Sequence, residues 1–206
     1  MKGFALDIAI APKAQRPFPD REILWGSPEG GQNCFPTSMA AWERRNSSDP
    51  VPLQKFGEAV AGAQERVWIV DEYLLMPGKG SPTDRIEKIL AWLPLWLVAS
   101  DIRLLTKRHQ EVGDGDIEKF HQRARAISNH VARREKECRI EIRMHLKRDC
   151  DFVHDRFAVV DDELWHFGGT AGGFHAAVSA ASRGWRAADH GALDFFEEIW
   201  NVGGRK

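Results

Sequence analysis

The sequence predicts an α/β fold in which a mixed central β-sheet is flanked by helices. Two observations predict it. Between residues 53 and 146, segments with apolar residues at helical spacing alternate with short apolar segments typical of strands. A hairpin of two further strands follows, between residues 152 and 167. Helices between strands favour parallel pairing whereas a hairpin is antiparallel, so the two patterns together predict a mixed sheet.

The individual elements follow from the same patterns. Three helices are predicted in the regular part of the chain, over 53–64, 84–97 and 117–137. Pro94 is expected to end or kink the second of them. Three strands alternate with these helices, over 66–75, 101–107 and 138–146. The remaining elements are a strand pair at 152–160 and 164–167 with an acidic turn between them, a helix near 173–181, a short strand within 182–191, and a helix over 191–200.

The chain divides into two predicted parts. Residues 1–51 are predicted to form a partly irregular extension, because segments rich in Pro and Gly surround two possible strands, 3–11 and 21–25, and a possible short helix at 36–46. This extension is expected to pack on the main fold, and it could instead add an edge strand, cover the site or mediate assembly. Residues 52–206 are predicted to form the main domain.

Composition limits the class of protein. With 206 residues, 43% hydrophobic content and a formal net charge of −1, the chain is long enough for one well-cored domain. The sequence contains no run of eighteen apolar residues, so no membrane span is predicted. The start of the chain is a poor signal peptide, and a cytoplasmic protein is therefore expected. Three cysteines without a C-x-x-C pair favour reduced thiols. A zinc site could be assembled only from Cys138, His145, Cys150 and His154, and their spacings match no standard zinc motif. Neither a metal nor a cofactor is predicted.

The candidate site lies in the hairpin. His154 and Arg156 are two residues apart in a predicted strand, so both side chains are expected on the same face, beside the small Ala158. The second strand leads into Gly168, Gly169 and Thr170, where backbone N–H groups can approach an anion closely. An imidazole nucleophile, a guanidinium and an amide-rich turn together point to a phosphate diester site.

These residues resemble the motif of the phospholipase D superfamily. His154, Arg156 and Asp161 have its H-x-K-x-x-x-x-D spacing, with Arg in place of Lys. Gly168 falls where that family begins a G-S/G-x-N segment, with Ala171 in place of Asn. The resemblance covers roughly residues 52–202 and implies a phospholipase D-like sandwich. It further implies metal-independent cleavage in which one His forms a phosphohistidine, a second His protonates the leaving group and the cation grips the phosphate oxygens.

The chain contains a single copy of the motif, whereas the resemblance implies two at each site. A two-fold homodimer would bring His154 of each subunit to a shared cleft. In that cleft Arg156 of both subunits would neutralise the phosphate, the amides of residues 168–170 would donate hydrogen bonds, and Asp161 would orient a His or Arg or else fix the turn.

Other cationic residues are further candidates. Arg183 and Arg186, on either side of Trp185, are expected to bind substrate phosphates or stack on a base, or to lie at a solvated strand end. Residues 119–148 are rich in Lys and Arg, which favours nucleic-acid contact or simply a solvated face. His166, His175 and Glu72 are given less weight.

The function expected from the sequence is therefore that of a metal-independent phosphodiesterase, first of all a nuclease acting on DNA or RNA. One alternative is a catalytically inactive module of the same fold that binds nucleic acid or phospholipid headgroups, since the Lys and Asn of the motif are replaced. Another is a phospholipase that acts at a membrane surface.

Overall fold

The computed structural model of the chain describes residues 17–25, 42, 53–77, 82–130, 136–173 and 179–202. Its strands are β1 Glu22–Trp25, β2 Arg66–Val70, β3 Asp101–Leu105, β4 Arg139–Arg143, β5 Arg156–Val160, β6 Glu163–Phe167 and β7 Ala180–Arg186. Its α-helices are α1 Gln54–Ala61, α2 Pro82–Leu90, α3 Asp114–His130, α4 Leu146–Asp149 and α5 Ala192–Val202, with short 3-10 turns at Ala171–Gly173 and Ala188–His190.

The strands of the described residues form one mixed sheet in the order β1-β7-β6-β5-β2-β3-β4. Strands β2, β3 and β4 are parallel to one another, and β5, β6, β7 and β1 add antiparallel pairs. The predicted α/β class with a mixed sheet is confirmed. Because of these directions, the ends of β2, β3, β4 and β6 and the beginnings of β5 and β7 meet at one edge, called here the site edge.

Apolar side chains fill both faces of the sheet. On one face, Phe56 of α1 meets the rings of Trp92, Trp165 and Phe167 edge-on, with centroids 5.0–5.2 Å apart. On the other face, α5 stacks its Phe196 on Trp68, at a centroid distance of 4.7 Å. The sheet is thus covered on both sides, and polar groups gather at its edges.

Several predicted boundaries move. Strand β5 begins at Arg156 rather than at residue 152, since Val153 N–H donates to the Cys150 carbonyl at 3.0 Å and closes a turn there. Strand β2 ends at Val70 rather than at residue 75, because the carboxylate and the carbonyl of Asp71 accept N–H groups from the next residues and form a turn. Helix α2 ends at Leu90, before Pro94.

Two predictions near the ends of the chain have different outcomes. The helix expected near 173–181 is wrong at its end, because Ala180 and Ala181 belong to β7; residues 174–178 lie outside the described residues. Within the predicted extension, β1 adds an edge strand to the sheet by pairing with β7, one of the possibilities left open. The strand expected at 3–11 lies outside the described residues, as does nearly all of the helix expected at 36–46, and the domain boundary after residue 51 stays a prediction. No helix in the described parts of the chain is long and apolar enough to cross a membrane.

Candidate functional site

A buried carboxylate lies at the centre of the site edge. Asp71 follows β2 directly, is fully buried, and accepts N–H groups from Tyr73 and Ala171, each at 2.8 Å. It therefore joins the end of β2 to the glycine-rich turn that follows β6. Burial raises the pKa of Asp71 to about 6, although the two N–H groups and the guanidinium groups of Arg156 and Arg85 oppose this rise.

Arg156 is held against this carboxylate. Its Nε lies 3.6 Å from Asp71 Oδ1 and its Nη2 lies 3.9 Å from Glu72 Oε1. Nη1 donates to the Gly168 carbonyl at 3.4 Å, and the guanidinium carbon lies 5.0 Å from the centre of the Tyr73 ring. The buried Nε makes no hydrogen bond within the described residues. The predicted phosphate ligand is thus already engaged by protein carboxylates and by an aromatic face.

His154 lies just before β5 and is exposed to solvent. Its Nδ1 is 3.4 Å from Lys147 Nζ, and Lys147 also lies 3.5 Å from Glu72 Oε2. An ammonium group can only donate, so Nδ1 accepts and its lone pair faces Lys147. Lys147 therefore stands where it could hold a phosphate oxygen next to the imidazole. The structure places His154 and Arg156 at the same edge, but His154 precedes the strand predicted to carry both side chains on one face, and Lys147 lies beside His154.

The glycine-rich turn provides fewer amides than the sequence predicts. Gly168 N–H donates to the Ala180 carbonyl at 2.8 Å, and Ala171 N–H is taken by Asp71. The Thr170 carbonyl accepts the N–H of Gly173 at 2.9 Å. Gly168, Gly169 and Thr170 do lie at the site edge, yet the Gly168 amide belongs to the sheet rather than to an open anion site.

Asp161 lies at the opposite end of β5 from Arg156. Its backbone φ is 56°, and its carboxylate accepts the N–H groups of Gln64, Glu65 and Arg66 at 2.7–3.2 Å. The carboxylate therefore closes the turn after β5 on the start of β2. Of the two roles that the sequence leaves open for Asp161, this geometry corresponds to fixing the turn.

Arg183 and Arg186 also lie away from His154. Arg183 makes a bidentate pair with Glu163, at 2.6 and 3.0 Å, and Arg186 lies 3.2 Å from Asp162. Both carboxylates belong to the turn and strand start at the edge remote from the site edge. The structure does not bring these two arginines to the other predicted site residues, and their substrate binding stays a prediction.

Three cations of the basic segment lie next to acidic side chains on or beside α3. Lys119 lies 3.6 Å from Asp116 and 3.7 Å from Glu87, and both Arg125 and His121 contact Glu118. Within the described part of this helix, Lys119, His121 and Arg125 are therefore arranged as local ion pairs, whereas Arg123 donates to the Leu93 carbonyl at 3.4 Å.

The four residues considered for zinc are not assembled. His145 Nε2 lies 3.0 Å from the carbonyl oxygen of Ile199, and the buried Cys150 thiol donates to the same oxygen at 3.7 Å. Across the described residues, no group of three or more His, Cys, Asp and Glu side chains is placed to hold a metal ion.

Sequence reasoning missed two residues at the site edge and undervalued a third. The sequence does contain a pattern that indicates Asp71, since a carboxylate directly after a buried strand lies at the strand ends of an α/β sheet, where ligands bind. The pattern that indicates Lys147 is weaker: it belongs to a basic pair shortly before the motif. Glu72, which links Lys147 to Arg156, was given little weight because nothing local distinguishes it.

Comparisons with known proteins add little to this geometry. No protein-family model matches the chain, and no curated protein matches it. Among solved structures, the chain is similar to TrmBL2, an archaeal chromatin protein described as having a novel mode of DNA binding, with 11% identity and a TM-score of 0.43. The match covers 89% of this chain and 52% of that chain, so this chain spans about half of that protein's length. A TM-score of this size carries neither fold nor function over to this chain.

Proposed function

We propose that the chain is a metal-independent phosphodiesterase that uses His154 as its nucleophile, with a phospholipase D-like fold and with nucleic acid as its substrate. The observation that carries the proposal is the pairing of an exposed imidazole with the Lys147 ammonium, Nδ1 to Nζ 3.4 Å, on the edge that also holds Arg156. A nucleophile and a cation at this separation can engage one phosphate together.

The reaction has two steps. First, Lys147 transfers its hydrogen bond from Nδ1 of His154 to a non-bridging phosphate oxygen, which frees the Nδ1 lone pair to attack phosphorus; the N–P bond forms as the P–O bond to the leaving alcohol breaks. A general acid protonates the departing oxygen. Second, water attacks the phosphohistidine, the N–P bond breaks, and the group that gave its proton takes one from the water. The products are an alcohol and a phosphate monoester.

A second copy of the chain supplies the general acid in this proposal. His166 is the other exposed histidine near β5, but it pairs in register with Phe157, so it lies on the face opposite to Arg156, where its Nε2 is 3.8 Å from Asp155. His154 of a partner related by two-fold symmetry would instead face the same phosphate from the other side.

A binding module without catalysis is the second candidate, and one observation favours it. Arg156 lies 3.6 Å from Asp71 and 3.9 Å from Glu72, so its positive charge is partly neutralised before any substrate arrives. In this alternative, Lys147 and His154 hold a phosphate group of nucleic acid or of a phospholipid headgroup, and no bond is broken.

The test is an incubation of the purified protein with end-labelled DNA and RNA in EDTA. The proposal expects cleavage and, after acid-free denaturation, a labelled strand fragment attached to the protein through an acid-labile N–P bond; labelling the 5′ end in one sample and the 3′ end in another covers either fragment. His154→Ala abolishes both signals, whereas Lys147→Ala lowers the rate by about a hundredfold to a thousandfold, the usual effect of one charge-stabilising group.

The matched control is His130→Ala, which removes an exposed histidine at the far end of α3. It should cleave like the wild type. Oligonucleotide binding without cleavage by any variant would reject the enzyme and favour the binding module. Release of headgroups from phospholipid vesicles without nucleic-acid cleavage would show that the substrate is a phospholipid and not nucleic acid.

A further inference from the structure

The aromatic side chain of Phe152 is presented to solvent beside the proposed site. Phe152 is 65% exposed and lies two residues before His154. Singly exposed apolar side chains are common on protein surfaces, so the exposure of this ring matters here because of its position two residues from His154.

The loop that carries this ring is fixed at both ends. Cys150 is fully buried and Val153 is 5% exposed, and the bond from Val153 N–H to the Cys150 carbonyl, 3.0 Å long, closes a turn with Phe152 at its tip. Two buried anchors hold the ring outward. A platform ordered in this way loses little conformational entropy when a flat ligand stacks on it.

The nearest charges are mixed in sign. Lys147 and Arg148 precede the loop, but Lys147 lies 3.5 Å from Glu72 and Arg148 is bound to Asp149. The exposed residues Asp151 and Asp155 lie on either side of Phe152 in the sequence. Electrostatic attraction alone therefore holds a phosphate backbone weakly here. The two carboxylates repel an anionic membrane surface and a phosphate backbone alike, so a ligand must gain binding energy from something other than charge. A single strand can do so, with a phosphate at Lys147 and a base on the ring.

We propose, building on the phosphodiesterase assignment above, that Phe152 stacks an unpaired base next to the phosphate held by Lys147 and His154, which makes single-stranded nucleic acid the substrate. Cα atoms two residues apart are separated by at most about 7 Å, so the ring and the imidazole serve adjacent nucleotides. Every base has a face that can stack, so no sequence preference is needed. Duplex bases are already stacked on each other and cannot occupy the platform.

The test measures binding directly and does not depend on turnover. Equilibrium affinities are determined by fluorescence anisotropy, in the His154→Ala background, for a labelled single strand, for its duplex, and for a strand of the same length with abasic sites. The single strand should bind more tightly than the other two. Phe152→Ala should weaken its binding by about tenfold or more, the effect of losing one stacked base. It should leave the abasic strand unchanged, and Phe152→Trp should retain the preference.

Trp96→Ala is the matched control, because Trp96 is 68% exposed but precedes β3 at the opposite edge of the sheet. It should bind all three ligands like the parent. Equal affinity for single strand and duplex, equal loss for single and abasic strands, or no binding of any of them would overturn the inference. So would Phe152-dependent binding confined to anionic lipid vesicles. If single-strand binding depends on Phe152 but the wild type does not cleave, the phosphodiesterase proposal is wrong while the inference about Phe152 holds.

Discussion

At the scale of single residues, the site edge depends on a buried carboxylate whose ionisation is unfavourable. Asp71 has no exposed surface, and only two backbone N–H groups and nearby guanidinium groups compensate its charge. It holds the turn after β6 against the end of β2 through the Ala171 N–H. The orientation of Arg156 thus rests on a group whose charge state changes in a mildly acidic range.

Asp71 should make stability fall as the pH rises between about 4 and 6. The pKa of Asp71 is about 6 in the folded state against an ordinary value of 3.8, so within this window the folded chain retains a proton that the unfolded chain has released. Asp71→Asn cannot titrate and also leaves one N–H unsatisfied. Its loss of unfolding free energy should therefore be largest near pH 4 and smaller above pH 6, as measured by urea denaturation across that range. A difference that does not vary with pH would contradict the assignment.

Asp161 should matter for stability and not for chemistry. Asp161→Ala removes the acceptor of three backbone N–H groups and leaves a non-glycine residue at φ 56°. We expect a loss of about 2 kcal/mol or more in the free energy of unfolding. Cleavage per folded molecule should stay unchanged. Asp162→Ala, which removes an exposed ion pair with Arg186, should lose less than about 1 kcal/mol. Loss of activity in a fully folded Asp161→Ala protein would place this residue in the catalytic machinery instead.

Contacts of single residues can be predicted from the sequence only when the two partners are close along the chain. The spacing of His154 and Arg156 predicts that one strand carries both on the same face, whereas β5 begins only at Arg156 and the two residues share an edge. Asp71 meets Ala171 across 100 residues, and no local pattern contains that contact. Asp161 matches the spacing of a catalytic motif, yet spacing does not reveal that its partners are the backbone amides at the start of β2.

At the scale of elements, the edge strand β1 is held by a close backbone approach at Gly184. This glycine has φ 91°, and a Cβ there would lie 2.4 Å from the Asp20 carbonyl oxygen and 2.7 Å from Arg21 Cα. Only glycine permits both the backbone conformation and the contact.

Gly184→Ala should therefore push the segment before β1 away from β7. We expect a loss of about 2–4 kcal/mol in the free energy of unfolding, from strain and overlap together. Hydrogen exchange should show faster exchange at 22–25 than in the wild type. Gly115→Ala is the control, since a Cβ there meets nothing within 4 Å, and its position in α3 should make it neutral or stabilising by up to about 1 kcal/mol. A neutral Gly184→Ala variant would show that β1 docks loosely.

Helices and strands are predicted correctly where the apolar pattern extends over most of the element. Helices α1 and α3 and strands β3 and β4 follow from periodicity, because each buries apolar side chains at regular spacing. The region after β6 was predicted less well. Residues 180 and 181 are alanines, whose propensity favours a helix, but Ala180 and Ala181 pair with β1 and β6 in the sheet. Tertiary pairing thus overrides local propensity there.

At the scale of the whole molecule, the proposal requires two chains at one site. Light scattering at micromolar concentration should therefore give about twice the mass of 23.3 kDa. A sharper measurement mixes subunits: wild type and His154→Ala are unfolded together in equal amounts and refolded. If a site needs His154 from both chains, only wild-type pairs cleave, so activity per total chain should fall to about one quarter of that of the refolded wild type. If each chain acts by itself, activity falls to about one half and the shared cleft is wrong. Mixing with His130→Ala, refolded in the same way, should leave activity unchanged, because that substitution lies outside the site and its pairs remain competent.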